Sequence, residues 1–146
     1  MIKFDEQKQL DSVAGALAIR KEIEGIAADV AGRGYKNICY LGIGGTYASA
    51  LQTQNHVQEY SGMEIIAQNA ALYNTTGNRR IGKDTVIVLS SVTGTTQEVV
   101  AAVEKAKAQG AVVIGFVDTA DTPLEKLSDL SLIHISEPTR PYSISY

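Results

Sequence analysis

The sequence has little of several residue types, and each shortage excludes a class of protein. Its one cysteine, Cys39, cannot form an internal disulfide, which fits a reducing compartment. The 13 Lys and Arg residues are outnumbered by 16 Asp and Glu residues, so there is no basic excess of the kind that nucleic-acid or membrane-surface binders carry. The first residues contain no signal-peptide core, and no stretch reaches the ~20 apolar residues of a membrane span. We therefore expect a cytoplasmic protein without nucleic-acid or membrane partners.

What the sequence does contain is enough apolar material for one folded domain. The chain has 146 residues, of which 45% are hydrophobic and 20% are charged. This balance lies far from that of disordered chains, and the length falls within the usual ~100–200 residues of a domain.

Helical and strand-like patterns alternate along the chain. The predicted helices cover residues 10–33, 46–60 and 98–109, with a short last helix that opens at 121–124. The predicted strands are apolar at nearly every position and cover 38–41, 64–67, 85–89 and 111–117, while 74–83 has an irregular pattern. Such strands separated by helices predict an α/β fold, a three-layer α/β/α sandwich around a parallel, flavodoxin-like sheet with strand order 2-1-3-4-5.

Residues 130–146 do not match the rest of the chain. The segment from Leu130 to Arg140 looks like a translated sequencing adapter, which predicts that 1–129 is a truncated domain followed by a non-native tail. The alternative is a natural last strand, because Leu130, Leu132 and Ile133 are apolar. We leave this segment out of the functional argument.

Two turns follow predicted strands and have the composition of ligand-binding loops. Residues 42–47 read Gly-Ile-Gly-Gly-Thr-Tyr, and residues 90–96 read Ser-Ser-Val-Thr-Gly-Thr-Thr. In the predicted strand order these turns follow neighbouring strands, β-strand one and β-strand three, and the order reverses between them. Ligands of open parallel sheets bind at such a reversal, so both turns are expected to face one crevice.

The chemistry that these turns indicate is anion binding without a metal or cofactor. Glycines allow backbone N–H groups to approach a ligand, and a helix N-terminus supplies about half a positive charge. Thr46, Ser91, Thr93 and Thr96 add hydroxyl donors, and neither turn contains lysine or arginine. The alternative is simple helix capping, which explains one such turn well but two adjacent ones less well.

Three other patterns are weak. The glycines of 42–44 begin a dinucleotide-binding fingerprint, but Tyr47 stands at its third glycine position. Residues 77–84 nearly spell a phosphate-binding P-loop, yet Asp84 replaces the required Ser or Thr and the motif precedes a strand, so we predict a solvated connection. His56 has neither a second histidine nor paired cysteines beside it, and we interpret it as a structural helix residue.

The two turns, together with the Asp-Thr-Pro-Leu segment at 121–124, resemble the sugar isomerase (SIS) domain family over about residues 1–129. The turn at 90–96 is similar to the family's Ser-x-Ser-Gly-x-Thr phosphate loop. The sequences of the first residues and of this turn are most like those of bacterial deglycases that act on fructoselysine or glucoselysine 6-phosphate. The resemblance implies that a sugar phosphate is held by Gly45, Thr46, Ser91, Val92, Thr93, Gly94 and Thr96.

Two positions depart from the family pattern. Thr93 replaces the commoner serine, which keeps the hydroxyl, and Leu72 stands where many relatives carry a glutamate. The resemblance also implies two SIS domains per chain, paired subunits, and a catalytic glutamate and histidine in the second half or a partner. Glu98 and Glu104 lie on an ordinary helix face, so this chain is expected to bind substrate without turning it over.

The function expected from this resemblance is sugar-phosphate binding within a cytoplasmic deglycase or aldose–ketose isomerase. The alternative is the effector-binding domain of a sugar-phosphate-responsive transcription regulator. Such regulators carry a DNA-binding helix-turn-helix ahead of the SIS part, whereas Met1 lies about ten residues before the first predicted helix. The sequence-based expectation is therefore the enzyme.

Overall fold

A computed structural model of the chain describes residues 5–133, and within that range the fold is one parallel sheet between helices. The elements in chain order are α1 (Glu6–Ala18), α2 (Arg20–Gly32), β1 (Asn37–Gly42), α3 (Gly45–Tyr60), β2 (Glu64–Asn69), α4 (Ala70–Thr76), β3 (Thr85–Ser91), α5 (Gln97–Ala108), β4 (Val112–Val117), α6 (Pro123–Leu127) and β5 (Leu130–Ile133). All neighbouring strands pair in parallel, in the order β2-β1-β3-β4-β5. The predicted fold class and strand order are confirmed.

The core lies on one face of this sheet. Alternate residues of β1 and β3 (Cys39, Leu41, Ile87 and Leu89) are completely buried against α4, α5 and α6. Helix α5 contributes four buried apolar residues to this cluster, spaced three or four apart as an amphipathic helix requires: Val99, Ala102, Val103 and Ala106.

The opposite face of the sheet is covered less tightly. Helix α2 has no buried residue, although its apolar side chains Ile23, Ile26 and Val30 face the sheet. A cleft of about 440 Å³ remains between this helix and sheet residues that include Val88 and Phe116. The sequence pattern of α2 is therefore amphipathic, but its apolar face is only partly covered.

Two element predictions were wrong. The single helix expected over 10–33 is divided at Ile19, whose φ of −86° and ψ of 2° leave the helical region. The chain carries neither proline nor glycine there, so the sequence pattern gives no sign of the break. Residues 74–83 were expected to be irregular, but the first of them, 74–76, belong to α4. This part of the helix consists of Asn74 and two threonines.

Tertiary contacts explain why α4 forms despite these residues. Asn69 caps its start, accepting a hydrogen bond from Leu72 N at 3.1 Å. Tyr73 is completely buried and donates from its hydroxyl to Gln109 Oε1 at 2.7 Å. At the helix end, Lys105 Nζ donates to the carbonyls of Tyr73 and Asn74 at 2.8 and 3.0 Å. Lys105 and Gln109 are distant in sequence from α4, so helix propensity alone does not find these contacts.

The first residues of the unusual C-terminal segment lie in the sheet. Residues 130–133 form β5, in which Leu132 pairs with Phe116 of β4 and is 2% exposed. Residues 134–146 lie outside the described range. The prediction that residues 130–146 are non-native therefore remains a prediction, as does the domain limit at 129.

Candidate functional site

The two glycine- and hydroxyl-rich turns leave the same edge of the sheet. Strands β1 and β3 are adjacent, and Leu41 pairs with Leu89 immediately before the turns begin. Helix α3 leads from β1 toward β2, whereas α5 leads from β3 toward β4, in the opposite direction along the sheet. Right-handed crossovers therefore place these helices on opposite faces, which is the arrangement in which open parallel sheets bind ligands between such turns. The predicted meeting of the two turns at one strand-order reversal agrees with this topology.

The first turn brings the start of α3 unusually close to the end of β1. A Cβ atom on Gly42 would lie 2.7 Å from both Thr46 C and Tyr47 N, which are backbone atoms that cannot move aside. Gly44 has φ 56° and ψ −126°, a conformation that residues with a side chain rarely adopt. Both glycines are thus required by the geometry that directs the α3 N-terminus toward the crevice.

Thr46 stabilises this turn from within. Its Oγ1 accepts a hydrogen bond from Ile43 N at 3.0 Å and donates to Ile43 O at 2.9 Å. The N-cap residue Gly44 has no side chain to bond the first turn of α3, and the first helical amide to find a backbone acceptor is that of Ala48, at 3.1 Å from Gly44 O. The amides of 45–47 therefore lie before the first intrahelical bond, in the position where helices bind anions.

The second turn is held by two of its own hydroxyl groups. Ser91 Oγ accepts a hydrogen bond from Gly94 N at 3.0 Å, and Thr93 Oγ1 accepts from Thr95 N at 3.4 Å. The O–H proton of Ser91 is not used in the first of these bonds. The serine and threonine oxygens therefore hold the backbone of the turn by accepting these hydrogen bonds, and their O–H protons can still be donated to another acceptor.

The segment after β4 supports the second turn from behind. Gly94 has φ 63°, and a Cβ atom there would lie 2.1 Å from Thr122 Oγ1. The Gly94 carbonyl accepts a hydrogen bond from Leu124 N at 3.1 Å, and the Val92 carbonyl accepts from Thr119 Oγ1 at 2.9 Å. Thr122 is itself 5% exposed, so the contact with Gly94 is rigid. The role of this segment as a support was not predicted from the sequence.

Thr96 ends the second turn and is the N-cap of α5. Its carbonyl accepts hydrogen bonds from Val99 N and Val100 N, both at 3.0 Å, whereas its side chain makes no capping bond. The simple capping role of this hydroxyl is therefore not realised, and Thr96 presents a hydroxyl group at the positive end of a helix. The structure thus places the two helix N-termini and the hydroxyl groups of Ser91, Thr93 and Thr96 at one edge of the sheet. The Thr46 hydroxyl, which was also predicted as a donor, already donates to Ile43 O.

A hydroxyl pair that the sequence analysis missed lies beside these turns. Tyr40 OH and Ser90 Oγ are 3.1 Å apart and partly buried. Tyr40 pairs in register with Val88, and Ser90 lies two residues further along the same face of β3. This pair could have been found from the strand register, which a sequence pattern predicts only approximately.

The described residues contain no group of three or more His, Cys, Asp or Glu side chains that could hold a metal ion. Glu98 and Glu104 are exposed on α5, as expected, and His56 is exposed with its ring 4.9 Å from that of Tyr60. Leu72, which stands in place of the family glutamate, is 55% exposed. No helix in the described part of the chain is long and apolar enough to cross a bilayer.

The comparison with known families agrees with this geometry. The SIS domain family matches residues 33–145, more than three quarters of the chain. The chain belongs to the SIS domain family.

Individual relatives connect the SIS domain here with two kinds of protein. A segment of 56 residues, 38% of the chain, is 45% identical to an uncharacterised HTH-type transcriptional regulator of Clostridium perfringens and covers 20% of it. A candidate phosphosugar isomerase from Salmonella typhimurium LT2 is 29% identical, with a TM-score of 0.66 over 73% of the chain and 32% of that protein. The NanR protein of Vibrio vulnificus, solved with ManNAc-6P, is 20% identical, with a TM-score of 0.64 over 88% of the chain and 48% of NanR.

The chain therefore spans between one fifth and one half of the length of these relatives. The likeness to NanR, at 20% identity, concerns the fold.

Proposed function

We propose that this SIS domain binds the phosphate group of a 6-phosphosugar in the crevice between its two turns. One observation carries the proposal: two glycine-shaped turns at adjacent strand ends each lead into a helix whose N-terminus lacks a side-chain cap. The family membership and the ManNAc-6P bound by NanR agree with a sugar phosphate as the ligand.

The proposed phosphate seat uses uncharged donors. We assign the N–H donors on the α3 side to Gly45 and Thr46, and the O–H donors of the second turn to Ser91, Thr93 and Thr96, together with the Val92 backbone. The Gly94 amide is engaged by Ser91 Oγ in this structure, so Gly94 contributes chiefly by fixing the turn. Each hydrogen bond to a charged acceptor contributes about 1.5–3 kcal/mol, so several of them hold a dianion without lysine or arginine.

Calorimetric titration with fructose 6-phosphate and with fructose tests this seat. We expect binding of the phosphorylated sugar only, and Ser91→Ala or Thr96→Ala should weaken it by about tenfold or more, because each removes a donor worth at least ~1.4 kcal/mol. Thr95→Ala is the matched control within the same turn and should bind like the unaltered chain. Equal affinities for all four proteins would show that the phosphate is not held here.

We further propose that the longer protein is a deglycase or aldose–ketose isomerase for 6-phosphosugar amines, acting in the cytoplasm as a dimer. Isomerisation moves a proton between C1 and C2 of an opened sugar, and deglycation then hydrolyses the released imine or enamine. Glu98 and Glu104 are exposed on α5 and do not form an acid–base pair at the crevice. The base and the ring-opening group would thus come from another domain or subunit. Amine release from fructosamine 6-phosphates by the longer protein tests this step.

A second candidate function is the effector-binding domain of a transcription regulator. It is favoured by the 45% identity to the Clostridium perfringens HTH-type regulator. The two functions use the same phosphate seat and differ in what the rest of the protein contributes. Turnover of a 6-phosphosugar by the longer protein would support the enzyme. DNA binding that responds to the sugar phosphate, without turnover, would support the regulator.

A further inference from the structure

A second polar cleft, of about 340 Å³, lies at the opposite end of the strands from the two turns. Its floor consists of three buried residues, Asn37, Ile81 and Thr85, two of which begin strands β1 and β3. Its rim is formed by residues that are exposed or partly exposed: Lys36, Arg79, Arg80, Gly82, Lys83 and Asp84. Because β1 has six residues at ~3.3 Å each, this cleft lies roughly 16 Å along the sheet from the proposed phosphate seat.

The rim is strongly basic, although the whole chain is acidic. Four of the 13 Lys and Arg residues line this cleft, against one carboxylate, while the formal net charge of the chain is −3. Arg80 pairs with Glu64 at 2.8 Å, and Lys36 lies 3.4 Å from Asp84. Arg79 and Lys83 make no ion pair with the described residues, which leaves two uncompensated positive charges at the rim.

The floor contains a buried acceptor without a partner. Asn37 is 8% exposed, and its Nδ2 donates to Arg80 O at 3.2 Å, which fixes the orientation of the amide. Its Oδ1 is buried and accepts no hydrogen bond in the described structure. A buried polar atom without a partner costs about 1–3 kcal/mol. The side chains of the rim must shift to expose this oxygen, and a ligand donor that then reaches it gains a hydrogen bond and breaks none.

The turn that carries the cations is held by its own hydrogen bonds. Thr85 Oγ1 donates to Arg80 O at 3.1 Å and accepts from Gly82 N at 3.1 Å. Asn78 Oδ1 accepts from Arg80 N at 3.0 Å, and Asn78 O accepts from Ile81 N at 3.1 Å. The rim residues therefore extend from a fixed backbone, which lowers the entropy that ligand binding would cost.

We propose that this cleft binds a small dianion that also carries a hydroxyl group, of the class of polyol phosphate monoesters. A phosphate monoester has a charge of about −1.5 to −2 near pH 7, which matches the two free cations, Arg79 and Lys83. The guanidinium of Arg79 suits two phosphate oxygens at once. A hydroxyl of the same ligand donates to Asn37 Oδ1 on the floor. Residues 77–84 were not assigned as a P-loop, because they precede a strand. In the proposed site they bind an anion through their side-chain cations, which does not require the helix geometry of a P-loop.

Amide NMR spectra of the full chain, titrated with glycerol 3-phosphate, inorganic phosphate and glycerol, test the site. We expect glycerol 3-phosphate to shift the amide signals of Asn37 and of residues 79–84, and to bind more tightly than inorganic phosphate, which lacks a second donor group. Shifts confined to residues 44–47 and 91–96, no shifts at all, or equal affinity for the two phosphates would overturn the proposal.

Two sets of variants separate the contribution of the rim cations from that of Asn37. The double change Arg79→Gln with Lys83→Gln should weaken glycerol 3-phosphate binding by about tenfold or more, because it removes both charge-assisted contacts. Lys21→Gln, which removes an exposed cation from α2, should leave binding at this cleft unchanged. Asn37→Ala should lower the affinity for glycerol 3-phosphate to that for inorganic phosphate and leave the latter unaltered. Full binding by the double variant would refute the charge argument, whatever the stability of the Asn37 variant.

Discussion

The contact between Gly94 and Thr122 gives the sharpest prediction about the second turn. Changing Gly94 to alanine forces a side chain into a residue with φ 63°, and places its Cβ 2.1 Å from Thr122 Oγ1 and 2.5 Å from Thr122 Cβ. No side-chain rotation of Thr122 relieves the second of these contacts, because Cβ is fixed by the backbone.

The expected cost follows from three terms. The left-handed conformation costs about 1–2 kcal/mol for alanine, and forcing extra atoms into a packed site costs about 1–3 kcal/mol. Alanine also reduces the conformational freedom of the unfolded chain, which increases the free energy of unfolding by about 0.4–1 kcal/mol. We therefore expect Gly94→Ala to lower the free energy of unfolding by roughly 2–4 kcal/mol, which for a chain of this size lowers Tm by about 6–15 °C.

Thermal unfolding followed by circular dichroism measures this loss. Gly62→Ala is the control, since a Cβ there meets nothing within 4 Å and φ is not positive, so Tm should stay the same or rise slightly. Combining Gly94→Ala with Thr122→Gly removes the steric partner and should recover the clash term of about 1–3 kcal/mol in a double-mutant cycle. If the two changes are additive, or if Gly94→Ala and Gly62→Ala unfold at the same temperature, the close packing described here is wrong.

Three further predictions concern the core and the helices. Burial raises the pKa of the Cys39 thiol from 9.0 to about 12. Because the folded pKa lies above the unfolded one, the contribution of this thiol to the free energy of unfolding should be fully present below pH 9. It should then fall by about 1.4 kcal/mol per pH unit toward pH 12. Cys39→Ala should flatten this decline in urea titrations between pH 8 and 11, and an equal slope in both proteins would contradict the assignment. Lys105→Met should lower the free energy of unfolding in urea by about 1–2 kcal/mol, because Lys105 binds the last carbonyls of α4 and lies 5.0 Å over the Tyr73 ring. Lys21→Met on α2 is the control, and equal stability of the two variants would refute this role of Lys105. Gly25→Ala, in the middle of α2 with open space around it, should raise the free energy of unfolding by about 0.5–1 kcal/mol, and a lower Tm would show that this helix is packed more closely than described.

Much of the fold was predictable because buried parallel strands leave a strong pattern. Runs such as 86–89 and 111–114 are apolar at every position, which amphipathic helices are not, and the intervening helical stretches require right-handed crossovers. These constraints predict a doubly wound parallel sheet, of which the flavodoxin-like order 2-1-3-4-5 is a common form. The two turns were also predictable, because Gly42, Gly44 and Gly94 lie where strands end and the backbone must bend sharply.

The errors arose where partners distant in sequence decide the local structure. Helix α4 contains residues with low helix propensity, yet it forms because Lys105 and Gln109 of the next helical unit bind its end and its buried tyrosine. The break at Ile19 has no local signal, since neither glycine nor proline stands there. Periodicity reports which face of a segment is apolar, but it does not report contacts made by a residue 30 positions away.

The sequence by itself determined the parallel sheet and the edge at which the two turns emerge, because these depend on hydrophobic pattern, chain connectivity and handedness. Only the tertiary structure decided which hydroxyl groups are already bonded within their turns, as that of Thr46 is, and which are left over, as that of Thr96 is. It also decided that Asn37 lies buried beneath the cations of residues 79–83. Hydrogen-bond partners depend on distances of a few tenths of an ångström between segments far apart in the chain, and no residue pattern contains that information.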